Sequence, residues 1–204
     1  MIKVKICGIK RKNDVEIVNK YMPDYVGFVF ADSKRKVTIE SAKLLSYGLD
    51  KNIKKVGVFV NENYETVKNI AHALKLDILQ LHGSEGNEYI KRFRDYEVWK
   101  AFSLNSQKDI KLINECCADA FLIDGSDGKK VGGTGKVFDW KLLKSIKSYI
   151  EKPIIAAGGL DENNVETCIK ELKPFGVDVS SGVETEGFKD EAKIKNFIMK
   201  VRNF

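Results

Sequence analysis

Cys7 and Asp124 are the two residues whose surroundings best equip them to move protons. Each ends a short apolar run, Val4-Lys5-Ile6-Cys7 and Ala120-Phe121-Leu122-Ile123-Asp124. A thiol titrates ordinarily at about 8.5, and positive charge or a helix N-terminus lowers that value and makes a thiolate base available. A carboxylate ending an apolar run costs free energy if buried alone, so it needs a partner or a task. On opposed strands the two could serve as base and acid in an isomerisation. A plainer reading of Cys7 stands beside this one, because free cysteine is commonly a small buried apolar group.

Two glycine-bearing segments near the C-terminus suggest a site for an anion. Gly158-Gly159 follows Ile154-Ile155-Ala156-Ala157, and Ser181-Gly182 follows Val177-Asp178-Val179-Ser180. Glycine lets backbone N–H groups approach a phosphate with no side chain in the way. The alternative is that these glycines only make tight turns. His82, after Gln80-Leu81, either faces the same region or is a hydrogen-bonded structural histidine, whereas His72 lies in a helical stripe. Trp99 and Phe102 read as core, Asp139 as a helix cap, and Cys116, Cys117 and Cys168 as helix residues engaged in packing.

Residues of these types become a site only if the chain brings them together, and the pattern of elements says how. Eight β-rich runs recur: Val4–Cys7, Tyr25–Phe30, Lys55–Val60, Asp77–Leu81, Val98–Phe102, Ala120–Asp124, Pro153–Ala157 and Gly176–Ser180. Most are nearly continuous in apolar residues, as parallel strands covered on both faces are. Between them lie helical stripes, among them Val67-Ile70-Ala71-Leu74, Val165-Cys168-Ile169-Leu172 and Ile194-Phe197-Ile198-Val201. Thr38, Ser106, Asp139 and Asp161 are placed to cap helices.

Eight βα units in an unbroken series predict an α/β fold of one domain spanning residues 1–204, a single closed (β/α)8 barrel with an eight-stranded parallel sheet. The competing open, doubly wound sheet usually carries GxGxxG after its first strand. Here that position reads Cys7-Gly8-Ile9-Lys10, and Gly132-Gly133-Thr134-Gly135-Lys136 lacks the Walker A spacing and hydroxyl. In a barrel, reactive groups sit at the carboxyl ends of strands and in the loops that follow, and phosphate commonly binds after strands 7 and 8. Cys7, Asp124, His82 and both glycine segments fall at such places.

Composition narrows the function classes. The chain has 204 residues, 35 Lys plus Arg against 29 Asp plus Glu, a net charge of +6, and a hydrophobic share of 43%. No apolar run approaches the roughly 18 residues of a membrane span. The opening MIKVKICGIKRKND is too charged for a signal peptide, and four cysteines without a CxxC pair read as free thiols, so a cytoplasmic protein is expected. The basic residues are dispersed, which argues against nucleic acid and suits a small anionic substrate.

Taken together, these segments resemble the phosphoribosylanthranilate isomerase family. The resemblance rests on Val4-Lys5-Ile6-Cys7-Gly8-Ile9, Val26-Gly27-Phe28-Val29-Phe30, Ser33-Lys34-Arg35, Val56–Asn61, Leu79-Gln80-Leu81-His82-Gly83, Leu122-Ile123-Asp124, Gly132–Gly135 with Phe138-Asp139-Trp140, Ala157-Gly158-Gly159-Leu160 and Val177–Glu184, in family order over nearly the whole chain. It implies an Amadori rearrangement in tryptophan biosynthesis, with no metal and no cofactor; the sequence leaves monomer and homodimer both open. By motif position Asp124 would be the general acid and Cys7 the general base. Arg35 would hold the anthranilate carboxylate, His82, Asp178 and Gly133 would line the substrate, and Gly158, Gly159, Ser181 and Gly182 would hold the phosphate. The Gly132–Gly135 loop would cover the substrate, and Asp127 competes with Asp124 for the acid role. Rivals are another sugar-phosphate barrel, such as an epimerase or a synthase closing an indole ring, and a barrel that only binds phosphosugars.

Overall fold

In the computed structural model residues 1–104, 109–124, 143–145 and 147–204 are described. The eight apolar runs form eight strands: β1 Lys3–Cys7, β2 Tyr25–Val29, β3 Lys54–Phe59, β4 Ile78–Leu81, β5 Glu97–Ser103, β6 Ala120–Asp124, β7 Ile154–Ala157 and β8 Gly176–Val179. They pair in parallel in chain order and close into a barrel, with Lys5 of β1 in register with Asp178 of β8. The (β/α)8 expectation therefore holds, with strand ends shifted by about a residue. Asp77 lies just before β4, where its carboxylate accepts the Lys55 N–H at 2.7 Å. Pro153 cannot donate an N–H and precedes β7.

Alternation along each strand separates two apolar layers. Tyr25, Val56, Ile78, Trp99, Ala101, Ala120, Leu122, Ile155 and Ala157 form the filling of the barrel interior. Their strand neighbours, such as Val26, Phe28, Leu79, Phe121 and Val177, pack outward with the helices. Trp99 is fully buried inside, whereas Phe102 is half-buried on the outer face, edge-on to Phe121.

Among the described residues the main helices are α1 Lys12–Tyr21, α2 Ile39–Tyr47, α3 Tyr64–Leu74, α4 Asn87–Ile90, α5 Asp109–Glu115, α6 Val165–Leu172 and α7 Glu191–Arg202. Their buried stripes are those of the sequence, Val67-Ile70-Ala71-Leu74 in α3 and Ile194-Phe197-Ile198-Val201 in α7. Thr38 caps α2 by accepting the Ser41 N–H. Asp161 does not cap α6: Asn164 occupies the cap position, and Asp161 closes the preceding turn by accepting the N–H groups of Asn163 and Asn164. Ser106 and Asp139 lie outside the described residues. Cys116 and Cys117 fall beyond the end of α5 rather than on it, and Cys117 is exposed because its turn faces outward beside Asn87.

After β8 the chain makes one 3₁₀ turn, Ser181–Val183, and then a small hairpin of β9 (Glu184–Thr185) and β10 (Phe188–Lys189). Glu186 and Gly187, both at positive φ, form its tip. Among the described residues no helix is long and apolar enough to cross a membrane.

Candidate active site

The site is built at the carboxyl ends of the strands. On β1 the alternation that sends Val4 and Ile6 outward sends Lys5 and Cys7 inward. Cys7 ends the strand, 8% exposed, against Val29 and Val58. Gly27 of β2 leaves room for it, since a Cβ there would lie 2.8 Å from Cys7 Sγ and 3.3 Å from Lys5 Nζ. The thiol and the ammonium thus share the space a side chain at Gly27 would fill. Lys5 Nζ also donates to Asp178 Oδ1 at 3.0 Å, deep in the barrel. Burial pushes the Cys7 thiol up, the Lys5 ammonium opposes that, Asp178 adds to it and Lys189 again opposes, leaving the thiol above its ordinary value. Burial pulls Lys5 down, but Asp178 and then Cys7 carry it above the usual lysine value, so it stays charged.

A second group of charges lies beside the thiol. Arg35, from the loop after β2, is buried and meets Glu184 with two parallel hydrogen bonds, Nε to Oε1 at 2.7 Å and Nη2 to Oε2 at 2.8 Å. Gly8, at φ +84°, makes way for it, because a Cβ there would strike Arg35 Cδ. Lys189 of β10 donates to Glu184 Oε1 at 2.9 Å and to the Ser180 carbonyl at 3.0 Å. Burial raises the Glu184 carboxyl, but Arg35 and Lys189 outweigh burial and bring it down to about 2. Among the described residues, two of Arg35's five N–H groups are committed to Glu184, and those of Nη1 are left for another anion.

On the β4 and β6 side, Asp124 ends β6, 8% exposed. His82, just past β4, places Nε2 3.6 Å from Asp124 Oδ2, while Gln80 Nε2 lies 3.1 Å from His82 Nδ1. With the amide donating to Nδ1, an Nε2–H of the ring faces Asp124. A cavity of about 430 Å³ opens off this rim, lined in part by His82, Lys100, Phe102 and Ser103.

The glycine loops converge. Gly158 and Gly159 both adopt positive φ, at 85° and 67°, a conformation glycine alone takes readily. Gly182 is glycine for a different reason: a Cβ there would overlap the Leu160 carbonyl. The loops after β7 and β8 are thus in backbone contact, and Ser181 begins the 3₁₀ turn beside them. Ser180 Oγ donates to the Cys7 carbonyl at 3.0 Å, joining this region to the end of β1.

The structure accordingly gathers Cys7, Arg35, His82, Asp124, Asp178, Gly158, Gly159, Ser181 and Gly182 at one end of the barrel. Gly133, the Gly132–Gly135 loop and Asp127 lie outside the described residues. Among the described residues no three His, Cys, Asp or Glu side chains converge as a metal site. Sequence reasoning passed over Lys5, Gln80, Glu184 and Lys189. For Lys5 a signal existed, a lysine inside an apolar run, two residues before Cys7 and hence on its face. Glu184 appeared only as the end of a motif, and Lys189 had no signal, because the hairpin carrying it was not anticipated.

A family model described as N-(5'phosphoribosyl)anthranilate (PRA) isomerase matches residues 4–200. The N-(5'-phosphoribosyl)anthranilate isomerase of Clostridium acetobutylicum is 59% identical over 204 residues, covering 100% of both chains. Among solved structures, the phosphoribosyl anthranilate isomerase of Thermotoga maritima superposes with a TM-score of 0.90 at 35% identity, covering 100% of both chains. A phosphoribosyl anthranilate isomerase in complex with reduced 1-(o-carboxyphenylamino)-1-deoxyribulose 5-phosphate gives a TM-score of 0.86 at 34% identity, again over 100% of both.

Proposed function

The chain belongs to the N-(5'-phosphoribosyl)anthranilate isomerase family, and we propose that it converts N-(5-phosphoribosyl)anthranilate to 1-(2-carboxyphenylamino)-1-deoxyribulose 5-phosphate, in tryptophan biosynthesis, by general acid and base catalysis. Asp124 protonates the furanose ring oxygen, the C1–O bond breaks, and the anthranilate nitrogen lone pair moves in to give a protonated Schiff base. Cys7, as thiolate, removes the C2 proton, and the electrons of that C–H bond form the C1–C2 double bond of an enolamine. Tautomerisation delivers a proton to C1 and leaves the ketone at C2. Oxidation of C2 is balanced by reduction of C1, so no external oxidant or reductant enters.

Positioning supplies the rest. The free Nη1 of Arg35 takes the anthranilate carboxylate, with Glu184 fixing the guanidinium plane. Backbone N–H groups around Gly158, Gly159, Ser181 and Gly182 take the phosphate, and Gly133, outside the described residues, is assigned to the substrate by its motif. His82 turns an N–H toward Asp124, and Asp178 orders the floor beneath the sugar through Lys5. The 1–204 barrel is the acting unit, and the reading takes the cytoplasm as its setting.

The observation that carries this reading is the placement of Cys7 and Asp124 at the same end of the barrel, on the ends of β1 and β6. The test is the fluorescence of freshly prepared phosphoribosylanthranilate, which decays as it is converted. Decay in proportion to the pure chain supports the assignment, and a rate equal to the spontaneous background overturns it. Turnover unaffected by EDTA is expected, whereas its loss would favour a metal-dependent sugar-phosphate barrel.

A further inference from the structure

Beneath the thiol, in the barrel interior, lies an ion pair to which the proton transfers of the reaction scheme give no part. Lys5 is 1% exposed, its Nζ bonds Asp178 Oδ1 at 3.0 Å, and it points to the same gap over Gly27 into which Cys7 Sγ projects. A buried ion pair is poor evidence of a gain in stability, since two charges must be stripped of water to make it. This one lies on the face of β1 that carries Cys7, two residues before it, where side chains share a direction.

We propose that Lys5 is the positioning residue of the base: its ammonium, held in place by Asp178, is the fixed positive charge against which Cys7 Sγ bears its negative charge. The proposal deepens the reading of Cys7 as the base and rests on it. The charged groups around the thiol are few. Lys5 comes from β1 itself, Asp178 from β8, Lys189 from β10, Arg35 from the loop after β2, and Glu184 stands between Arg35 and Lys189. Lys189 and Arg35 are both bonded to Glu184, whose single carboxylate offsets one of their two charges, and Lys189 has a smaller effect on the thiol than Lys5. Lys5 is offset by Asp178 alone and has the larger effect on the thiol of the two. The pair is neutral as a whole, but its ammonium outweighs its carboxylate at the thiol, so the inner side presents a positive charge to Sγ. A thiolate in a nearly dry wall needs such a partner, because the same low dielectric that penalises a lone charge strengthens a paired one.

The test titrates the thiol directly, by the ultraviolet absorbance of thiolate in the free protein minus that of Cys7→Ala, alongside kcat/KM against pH. Lys5→Met is expected to move the thiolate midpoint up by about a pH unit or more. It should lower kcat/KM at neutral pH about tenfold, with the gap closing as pH rises, since each unit is a factor of ten in thiolate below the midpoint. Lys5→Arg should restore most of the wild-type midpoint. Lys5→Met leaves Asp178 without its cation and could fold poorly, so Lys5→Met combined with Asp178→Asn provides a second reading. The upward shift should persist there, smaller, because Lys5 affects the thiol more than Asp178 does. An unchanged midpoint in either folded variant overturns the proposal, as does a kcat/KM deficit that stays constant with pH. Retained activity in Cys7→Ala would instead overturn the base assignment, a result read separately from the midpoint.

Discussion

Lys5 and Lys100 are both buried lysines on barrel strands, and they are satisfied in opposite ways. Lys100 donates to the carbonyls of Leu81, Gly83 and Ala101, at 3.3, 2.6 and 3.2 Å, and stands 3.3 Å from Glu85 Oε2. An ammonium has three hydrogens, and three backbone oxygens and the Glu85 carboxylate share them. Glu85 in turn accepts the N–H groups of Asn61 and Gly83, at 2.7 and 2.9 Å. That cluster ties the loops after β3 and β4 to β5. Lys5 instead bonds one side chain and lies beside another, Asp178 and Cys7, both facing the interior. The contrast separates a charge that closes backbone hydrogen bonds from a charge that sets the field at a reactive atom. Burial alone would not separate them, since both are nearly inaccessible, yet Asp178 and Cys7 carry Lys5 above the usual lysine value whereas burial holds Lys100 below it.

The comparison is broken most decisively at the reactive atoms. Cys7→Ala and Asp124→Asn should each lower kcat by about 10²–10⁴-fold, the usual weight of general acid or base catalysis. Binding of a reduced product analogue should change little, measured by competition. Wild-type rates in Cys7→Ala would mean that the interior beside Lys5 is not where the chemistry occurs, and in Asp124→Asn that another group is the acid.

Lys100 should answer differently. Lys100→Met leaves Glu85 buried without its cation, and such a loss typically costs about 3–5 kcal/mol. Urea unfolding should register that decrease, while kcat of the remaining folded enzyme stays within about twofold of wild type. A large fall in kcat with unchanged stability would erase the distinction between the two lysines.

How much of this was legible beforehand follows the same division. Strand alternation is a strong local signal, so the barrel, its inward faces and the strand-end positions of Cys7 and Asp124 could be read from the chain. Lys5 is harder to place: one charge inside an apolar run has no evident role until closure of the sheet puts it in the interior beside Cys7. Lys189 and Glu184 meet Arg35 only through a hairpin of four paired residues, and strands that short leave no periodicity to detect. Asp161 was misplaced by one turn because its carboxylate bonds backbone N–H groups at either position. The glycines were readable as glycines, but only the fold distinguishes Gly159, needed for its backbone angle, from Gly182, needed for its proximity to Leu160.

Arg35 tests the outer part of the charge cluster. Arg35→Ala removes the proposed carboxylate partner while Glu184 keeps Lys189. KM should rise about thirtyfold, the equivalent of ~2 kcal/mol for a hydrogen bond to a charged group, with a smaller change in kcat. An unchanged KM would transfer the carboxylate to another residue and leave the Arg35–Glu184 pair a structural tie like that of Lys100.

The smallest effect is expected from acid. Glu184 titrates at about 2 in the folded protein against an ordinary 4.5. A lowered carboxyl pKa adds stability that is complete above the unfolded value and fades as pH falls toward the folded one. The window is therefore about pH 4.5 down to about 2, with roughly 1–2 kcal/mol lost by about pH 3. Other carboxylates titrate over the same range, so the useful measurement is the difference between wild type and Glu184→Gln in urea unfolding, from near neutral pH downward. The variant should be the less stable protein near neutrality, because Arg35 and Lys189 lose their shared carboxylate. The gap should narrow through the window as wild-type Glu184 takes up its proton. A gap that holds constant to pH 3 would mean that the carboxylate is not stabilised by those two cations, and the outer cluster would then have to be understood through packing instead of charge.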